Sequence, residues 1–333
     1  MYRKAALLIA SFACAAGLIT TAAHSQEAAT IGSSVAYTQM PHRIAVEKGY
    51  FAAEGLTPDL KIVPSGNDVV QALAGGSMDF GEASPAIFIS AIANNLPIIA
   101  IGVHSAGNIA RLVASPANAA MTDIGAFKGK RIGVQVGSGS YILLLMALQQ
   151  GGLTTSDVTL TNIRVNDMPA AMQSGAFDAV MVWEPQASRI VQAGWGTEVI
   201  SPKKFEDITN IEFPFLLLTT AKMVSSRPDT VQKYLNAVAK AQRFIVKQPS
   251  DTVTSYRNTL PADVGRSVSD NDLRSQIYSS SRYDRIAFTT RDTDELRRTA
   301  EFMLREKMLK AMPDLDKWVN LTLAKTAASN LGN

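Results

Sequence analysis

Five short polar clusters in this chain carry the residue types needed to hold a small solute: Tyr37-Thr38-Gln39, Ser65-Gly66-Asn67, Ser84, Gly137-Ser138-Gly139-Ser140-Tyr141 and Trp183-Glu184. Ser65, Ser84, Ser138 and Ser140 each stand where an apolar stretch of helical period begins. A helix start offers unpaired amides and the positive end of the helix dipole, so a sulfonate, nitrate or carboxylate would be held there without an arginine. Serine is also a preferred N-cap, so each of these residues has two readings, cap or ligand contact. Trp183-Glu184 supplies an aromatic plane for stacking and a carboxylate that accepts from an amine or amide. Either Glu184 meets a donor on a ligand of mixed character, such as an aminosulfonate or a small heterocycle, or it makes a contact between two parts of the protein. Arg111, close to His104 and Asn108, either grips an anionic group bidentately or pairs with an acid.

Other chemistries find little support. The chain has three histidines, His24, His42 and His104, with no metal-ligand spacing and no recognisable Ser-His-Asp context. Gly137-Ser138-Gly139-Ser140 lacks the lysine of a phosphate-binding loop, and no Walker motif occurs. The single cysteine, Cys14, lies in an N-terminal segment of special composition. There Arg3 and Lys4 precede an apolar, alanine-rich run ending in Ala23-His24-Ser25, the pattern of a cleaved secretory signal over residues 1–25. Cleavage leaves residues 26–333 without cysteine, hence without disulfides or thiol chemistry. Losing Arg3 and Lys4 lowers the formal charge from +3 to +1, which argues against nucleic acid or an anionic membrane as partner. At 47% hydrophobic residues the remainder can bury one large core or two medium ones. No enzymatic cofactor and no metal is expected.

The polar clusters must be positioned by strands and helices in alternation. Strands are expected over 29–35, 60–63, 78–83, 97–103, 131–136, 158–163 and 177–183. Helices are expected at 41–48, after Asp68, from Pro85, and over 140–150, 168–174 and 185–193. That alternation implies mainly parallel sheets. Asp68-Val-Val-Gln-Ala-Leu-Ala-Gly-Gly-Ser-Met-Asp79 aligns without gaps on Asp167-Met-Pro-Ala-Ala-Met-Gln-Ser-Gly-Ala-Phe-Asp178, so the helix–glycine–strand unit occurs twice, about 100 residues apart. Two similar α/β lobes predict a cleft between them, where small ligands bind. Leu112–Ala114 and Phe213–Thr219 are the candidate crossings between lobes. From Pro228 onward Val231, Tyr234, Leu235, Val238, Ala241 and Ile245 keep a helical period, and the helices that follow are expected to pack on the first lobe.

Ala45-Val-Glu-Lys-Gly-Tyr-Phe-Ala-Ala-Glu-Gly-Leu56 resembles a segment of periplasmic substrate-binding proteins of the nitrate/sulfonate/taurine type of ABC importer, a group related to the binders of thiamine-pyrimidine precursors. Residues 72–79, Lys128–Val134 with Gly137-Ser138, and Asp178–Val180 with Trp183-Glu184-Pro185 are similar to the same family. The resemblance implies an α/β fold of the periplasmic binding protein type II. Lobe 1 would comprise residues 26–113 and 214–333, and lobe 2 residues 114–213. It also implies a monomer in the periplasm that takes a small anion, or alternatively a small heterocycle, and serves an ABC permease in the inner membrane. Presentation of the ligand to a membrane sensor is the variant reading. The Ser138–Ser140 loop resembles the family's oxyanion-binding turn. The implied ligand contacts are Tyr37, Gln39, Ser65, Ser84, Ser138, Ser140, Trp183 and Glu184. Relatives that make the thiamine pyrimidine carry a cysteine-rich motif, which this chain lacks.

Overall fold

The computed structural model describes residues 26–33, 36, 39–260 and 269–330. The N-terminal segment 1–25, with Cys14, and Tyr37 lie outside the described residues.

Parallel strands alternate with helices in two successive units. In the first, β1 (Glu27–Ser33) pairs in parallel with β2 (Leu56–Ile62). A bridge from Ile31 to Phe80 continues the order towards β3 (Gly81–Ala83). Between these strands lie α1 (Met40–Glu47), α2 (Tyr50–Ala53) and α3 (Gly66–Ala74). Then α4 (Pro85–Ala93) leads to β4 (Ile98–Gly107). The second unit contains β5 (Arg111–Ala114), β6 (Arg131–Val134), β7 (Thr159–Asn162), β8 (Ala179–Val182) and β9 (Thr197–Ile200). Its helices are α5 (Gly139–Gln150), α6 (Met168–Gln173), α7 (Gln186–Gln192) and α8 (Pro202–Thr209). The chain returns through β10 (Pro214–Thr220).

The pairs β1–β2, β6–β7 and β6–β8 are parallel, whereas the crossing strands, and the two-residue strand Ser281–Arg282 beside β4, pair antiparallel. β10 runs antiparallel to both β3 and β4, and β5 runs antiparallel to both β8 and β9. The strand that arrives from the other lobe has no βα crossover to dictate its direction, which is why alternation predicts the other strands and not these two. β5 begins at Arg111 and belongs to the second sheet, so the outgoing crossing is the three-residue link Asn108-Ile109-Ala110. It runs beside the return crossing. Gly107 donates its amide to the Phe213 carbonyl (3.0 Å), and Asn108 Nδ2 donates to the Ile211 carbonyl (2.7 Å).

The predicted duplication is present bond for bond. Gly76 and Gly175 follow α3 and α6 with φ of 73° and 71°, conformations that favour glycine because it has no Cβ. Asp79 then accepts the Thr30 amide of β1 through Oδ2 (2.9 Å), and Asp178 accepts the Arg131 amide of β6 (2.8 Å). Each aspartate also donates its own amide to the carbonyl of that same strand residue, at 2.9 Å in both lobes.

The C-terminal part adds α9 (Ala221–Ser226), α10 (Pro228–Lys247) and α11 (Pro249–Thr259). As the periodicity predicts, α10 buries Val231, Tyr234, Leu235, Val238, Ala241 and Ile245, and packs on α1, α2 and the helix Leu323–Asn330. Phe51 and Leu56 of the motif segment are fully buried, and the rings of Phe51 and Phe80 both stack with Tyr234. These aromatics are core residues. Thr197–Ile200 and Pro202–Thr209 have no counterpart in the sequence expectations; a four-residue strand and a two-turn helix are too short to show a period.

Candidate ligand-binding site

Three helices start at the interface between the lobes. Ser84, in extended conformation, precedes α4, whose first residue is Pro85; proline is tolerated there because a first-turn amide has no partner within the helix. Ser65 precedes α3 and Ser138 precedes α5 in the same manner. Close approach of the lobes depends on Gly139: a Cβ at that position would lie 2.9 Å from Ser84 Cβ. The starts of α4 and α5 therefore meet face to face.

A cleft of about 610 Å³, its mouth included, opens beside this contact. Gln39, Ser65, Ser84, Ser138, Ser140 and Trp183, all expected ligand contacts, line it. Residues separated by up to 144 positions are thus gathered at one place, from α1, α3 and α4 of one lobe and α5 and the end of β8 of the other.

The serines differ in what their hydroxyls do. Ser138 is a true cap: its Oγ accepts the Tyr141 amide (3.2 Å) and donates to the Gln135 carbonyl (2.7 Å). Ser65 makes no cap and donates to Asp68 Oδ2 (2.7 Å). Ser84 Oγ is buried with no hydrogen-bond partner, so its donor and acceptor capacity faces the cleft.

Glu184 is not among the lining residues. Its side chain is buried, its Oε2 accepts the Ser188 amide (3.0 Å), and its Oε1 lies 3.2 Å from Arg111 Nε. Arg111 extends its other end to Glu198 Oε2 (2.5 Å). The arginine and the carboxylate, each a candidate ligand contact in the sequence, satisfy one another instead. A guanidinium on β5 facing the end of β8 across paired strands has a carboxylate within reach, and the low dielectric of the site favours the pair over two separate buried charges.

The carboxylate that does reach the cleft is Glu82, in the middle of β3. It is buried, hydrogen-bonded by the Gln39 amide, and its Oε2 has no hydrogen-bond partner. Burial pushes its pKa up to about 8, only partly offset by Gln39. His104 Nδ1 lies 3.8 Å from Oε2, beyond hydrogen-bond range. Asn108, on the outgoing crossing, also lines the cleft, and its Oδ1 is buried without a partner. Phe213 and Phe215 of the return crossing complete the apolar wall. Glu82 left little trace in the sequence: Gly81-Glu82-Ala83 is a three-residue strand, and only long-range packing buries its acid. Asn108 stood out only as a polar neighbour of Arg111.

The match to known proteins covers most of these elements. The model of the NMT1/THI5-like family fits residues 38–252, which include the repeated units and both crossings. The chain belongs to this family. The taurine-binding periplasmic protein of Escherichia coli is 29% identical over 229 residues, covering 67% of this sequence and 69% of that one. The 4-amino-5-hydroxymethyl-2-methylpyrimidine phosphate synthase of Aspergillus parasiticus is 25% identical, covering 66% and 67%. Among solved structures, the alkanesulfonate-binding protein SsuA of Xanthomonas axonopodis pv. citri, bound to MOPS, superposes with a TM-score of 0.73 at 18% identity, covering 88% of this chain and 98% of that one. This NMT1/THI5-like chain therefore has the two-lobed α/β fold of periplasmic binding proteins. The proteins similar to this chain include binders and an enzyme, so the fold does not decide between them; the site must. No helix among the described residues is long and apolar enough to cross a membrane.

Proposed function

We propose that the protein is the solute-binding component of an ABC importer. It is exported to the periplasm by a cleaved signal, works as a monomer, captures a small polar solute between its lobes and delivers it to the permease. The observation that carries this reading is the cleft at the paired crossings, lined from both lobes and holding a buried, unpartnered Ser84 hydroxyl against the start of α5. An acidic group of the solute, sulfonate, nitrate or carboxylate, would accept hydrogen bonds from Ser84 and from the first-turn amides of α5. Contacts from both lobes exist together only in the closed form, so the solute shifts the population towards closure. A specific observation favours a second reading, a small heterocycle: Trp183, Phe213 and Phe215 bring aromatic surface to the same space.

A thermal-shift screen against sulfonates, taurine, nitrate, bicarbonate, amino acids and pyrimidines tests the proposal. A solute at 100 times its Kd stabilises by about 2.7 kcal/mol. Trp183→Ala should then weaken the hit at least tenfold, by isothermal titration, with an unchanged circular-dichroism spectrum. A hit whose affinity survives that change binds elsewhere.

A further inference from the structure

Three polar atoms lining the cleft are buried and have no hydrogen-bond partner: Glu82 Oε2, Asn108 Oδ1 and Ser84 Oγ. Buried polar groups are nearly always paired, so each needs a partner from the solute or from water. Two of the three can be assigned a role. Asn108 commits its Nδ2 to the Ile211 carbonyl at 2.7 Å, an acceptor that only the amide nitrogen can satisfy, so the group facing the cleft is its oxygen. Glu82, when ionised, only accepts. Ser84 alone is free to donate.

The charges around Glu82 are equally one-sided. Among the described residues no lysine or arginine lines the cleft, and Glu82 is the one carboxylate that does. Behind Glu82, His104 on β4 lies 3.8 Å away and packs on His42 of α1, with ring centroids 4.2 Å apart. His42 Nε2 in turn meets the Tyr234 hydroxyl of α10 at 2.6 Å. Burial holds His42 well below the usual imidazole range, so it brings no positive charge near neutral pH, and the buried Tyr234 phenol is uncharged there. Tyr283, also buried and near Glu82, is held neutral in the same way. Glu184, by contrast, has an arginine.

Building on the solute-binding reading above, we propose that Glu82 is the recognition carboxylate of the cleft and that the solute presents to it a cationic nitrogen, a protonated amine or amidine. The solute is then dipolar rather than a simple anion. Its nitrogen donates to Glu82 and Asn108, while any acidic group points to Ser84 and the start of α5. In the empty protein Glu82 holds a proton, which leaves when the cationic group arrives. Affinity therefore rises with pH up to about 8, as long as the solute nitrogen stays protonated.

Isothermal titration with matched pairs tests this. Each pair differs in one nitrogen: taurine and isethionate, β-alanine and 3-hydroxypropionate, 4-amino-2-methylpyrimidine and 2-methylpyrimidin-4-ol. Native mass spectrometry of the protein isolated from its own cells identifies any solute it carries. The nitrogen-bearing member should bind at least tenfold more tightly, and Glu82→Gln should abolish the difference. Wild-type protein at pH 7, titrated with taurine or β-alanine in buffers of different ionisation enthalpy, should release close to one proton, a readout that does not depend on the variant folding. Equal affinity within a pair that binds, or a carried solute without basic nitrogen, overturns the inference and leaves the solute-binding reading standing. No binding by any member and no carried solute overturns both.

Discussion

Residues 68–79 and 167–178 make the same turns and the same aspartate-to-strand hydrogen bonds, yet the strands they lead into carry acids that meet opposite circumstances. In lobe 1, Glu82 sits inside β3 with Gln39, the His104 ring 3.8 Å away and the cleft as its surroundings. In lobe 2, the corresponding interior position is Met181, fully buried in apolar surroundings, and the acid comes later, at Glu184, beside Arg111. A duplicated scaffold has thus been given one carboxylate that is neutralised within the protein and one that is not. The first holds strands together. The second is costly in the empty protein, and such a cost persists where a partner is expected to arrive.

The largest effect should come from breaking the satisfied pair. Arg111→Met leaves Glu184 buried with only the Ser188 amide and strips Glu198 of its partner. Removing one side of a buried pair costs about 3 kcal/mol, which would lower the urea midpoint with little change in m-value. Adding Glu184→Gln should recover part of the loss, because it removes the uncompensated charge. If the double variant is no more stable than Arg111→Met, the pair is not what secures β5 to β8.

Next comes the unsatisfied acid. Because burial raises Glu82 from 4.5 to about 8, the folded protein holds a proton that the unfolded chain gives up between those values. The stability this proton linkage contributes is therefore complete below about pH 4.5 and is lost as pH rises through about 8. Ligand-free wild type should lose thermal stability relative to Glu82→Gln between pH 5 and pH 8.5, by on the order of a few kcal/mol. Parallel curves for the two proteins over that range would show that Glu82 is solvated in solution and would remove the contrast with Glu184.

The contrast also explains what sequence alone could reveal. The alternating strands, the duplication and the face of α10 were legible because apolar period and glycine stops are local properties. The six lining residues from Gln39 to Trp183 were legible because strand ends and helix starts can be placed from the same local signals. Fates of charged side chains are not local. Arg111 and Glu184 find each other only because β5 enters the second sheet beside β8, and that antiparallel insertion has no mark in the order of elements. Glu82 is buried by Gln39 from α1 and His104 from β4, neither of which is near it in sequence. Trp183-Glu184 was the conspicuous pair, and its tryptophan lines the cleft while its glutamate does not.

The smallest expected effect separates two serines that look alike in sequence. Ser138 Oγ caps α5 through the Tyr141 amide, whereas Ser84 Oγ has no hydrogen-bond partner in the protein. Ser138→Ala should cost about 1 kcal/mol of stability, the usual worth of a serine cap. Ser84→Ala should change stability by no more than about 0.5 kcal/mol, since it removes a buried hydroxyl without breaking a bond. Affinity for the solute should respond in the opposite order, with Ser84→Ala the more harmful, because the hydroxyl that does nothing for the fold is the one left to do something for the ligand. Denaturation and titration of the same two variants measure both orders. If Ser84→Ala instead destabilises the protein as a lost cap would, its hydroxyl belongs to α4, and the two lobes treat their helix starts alike.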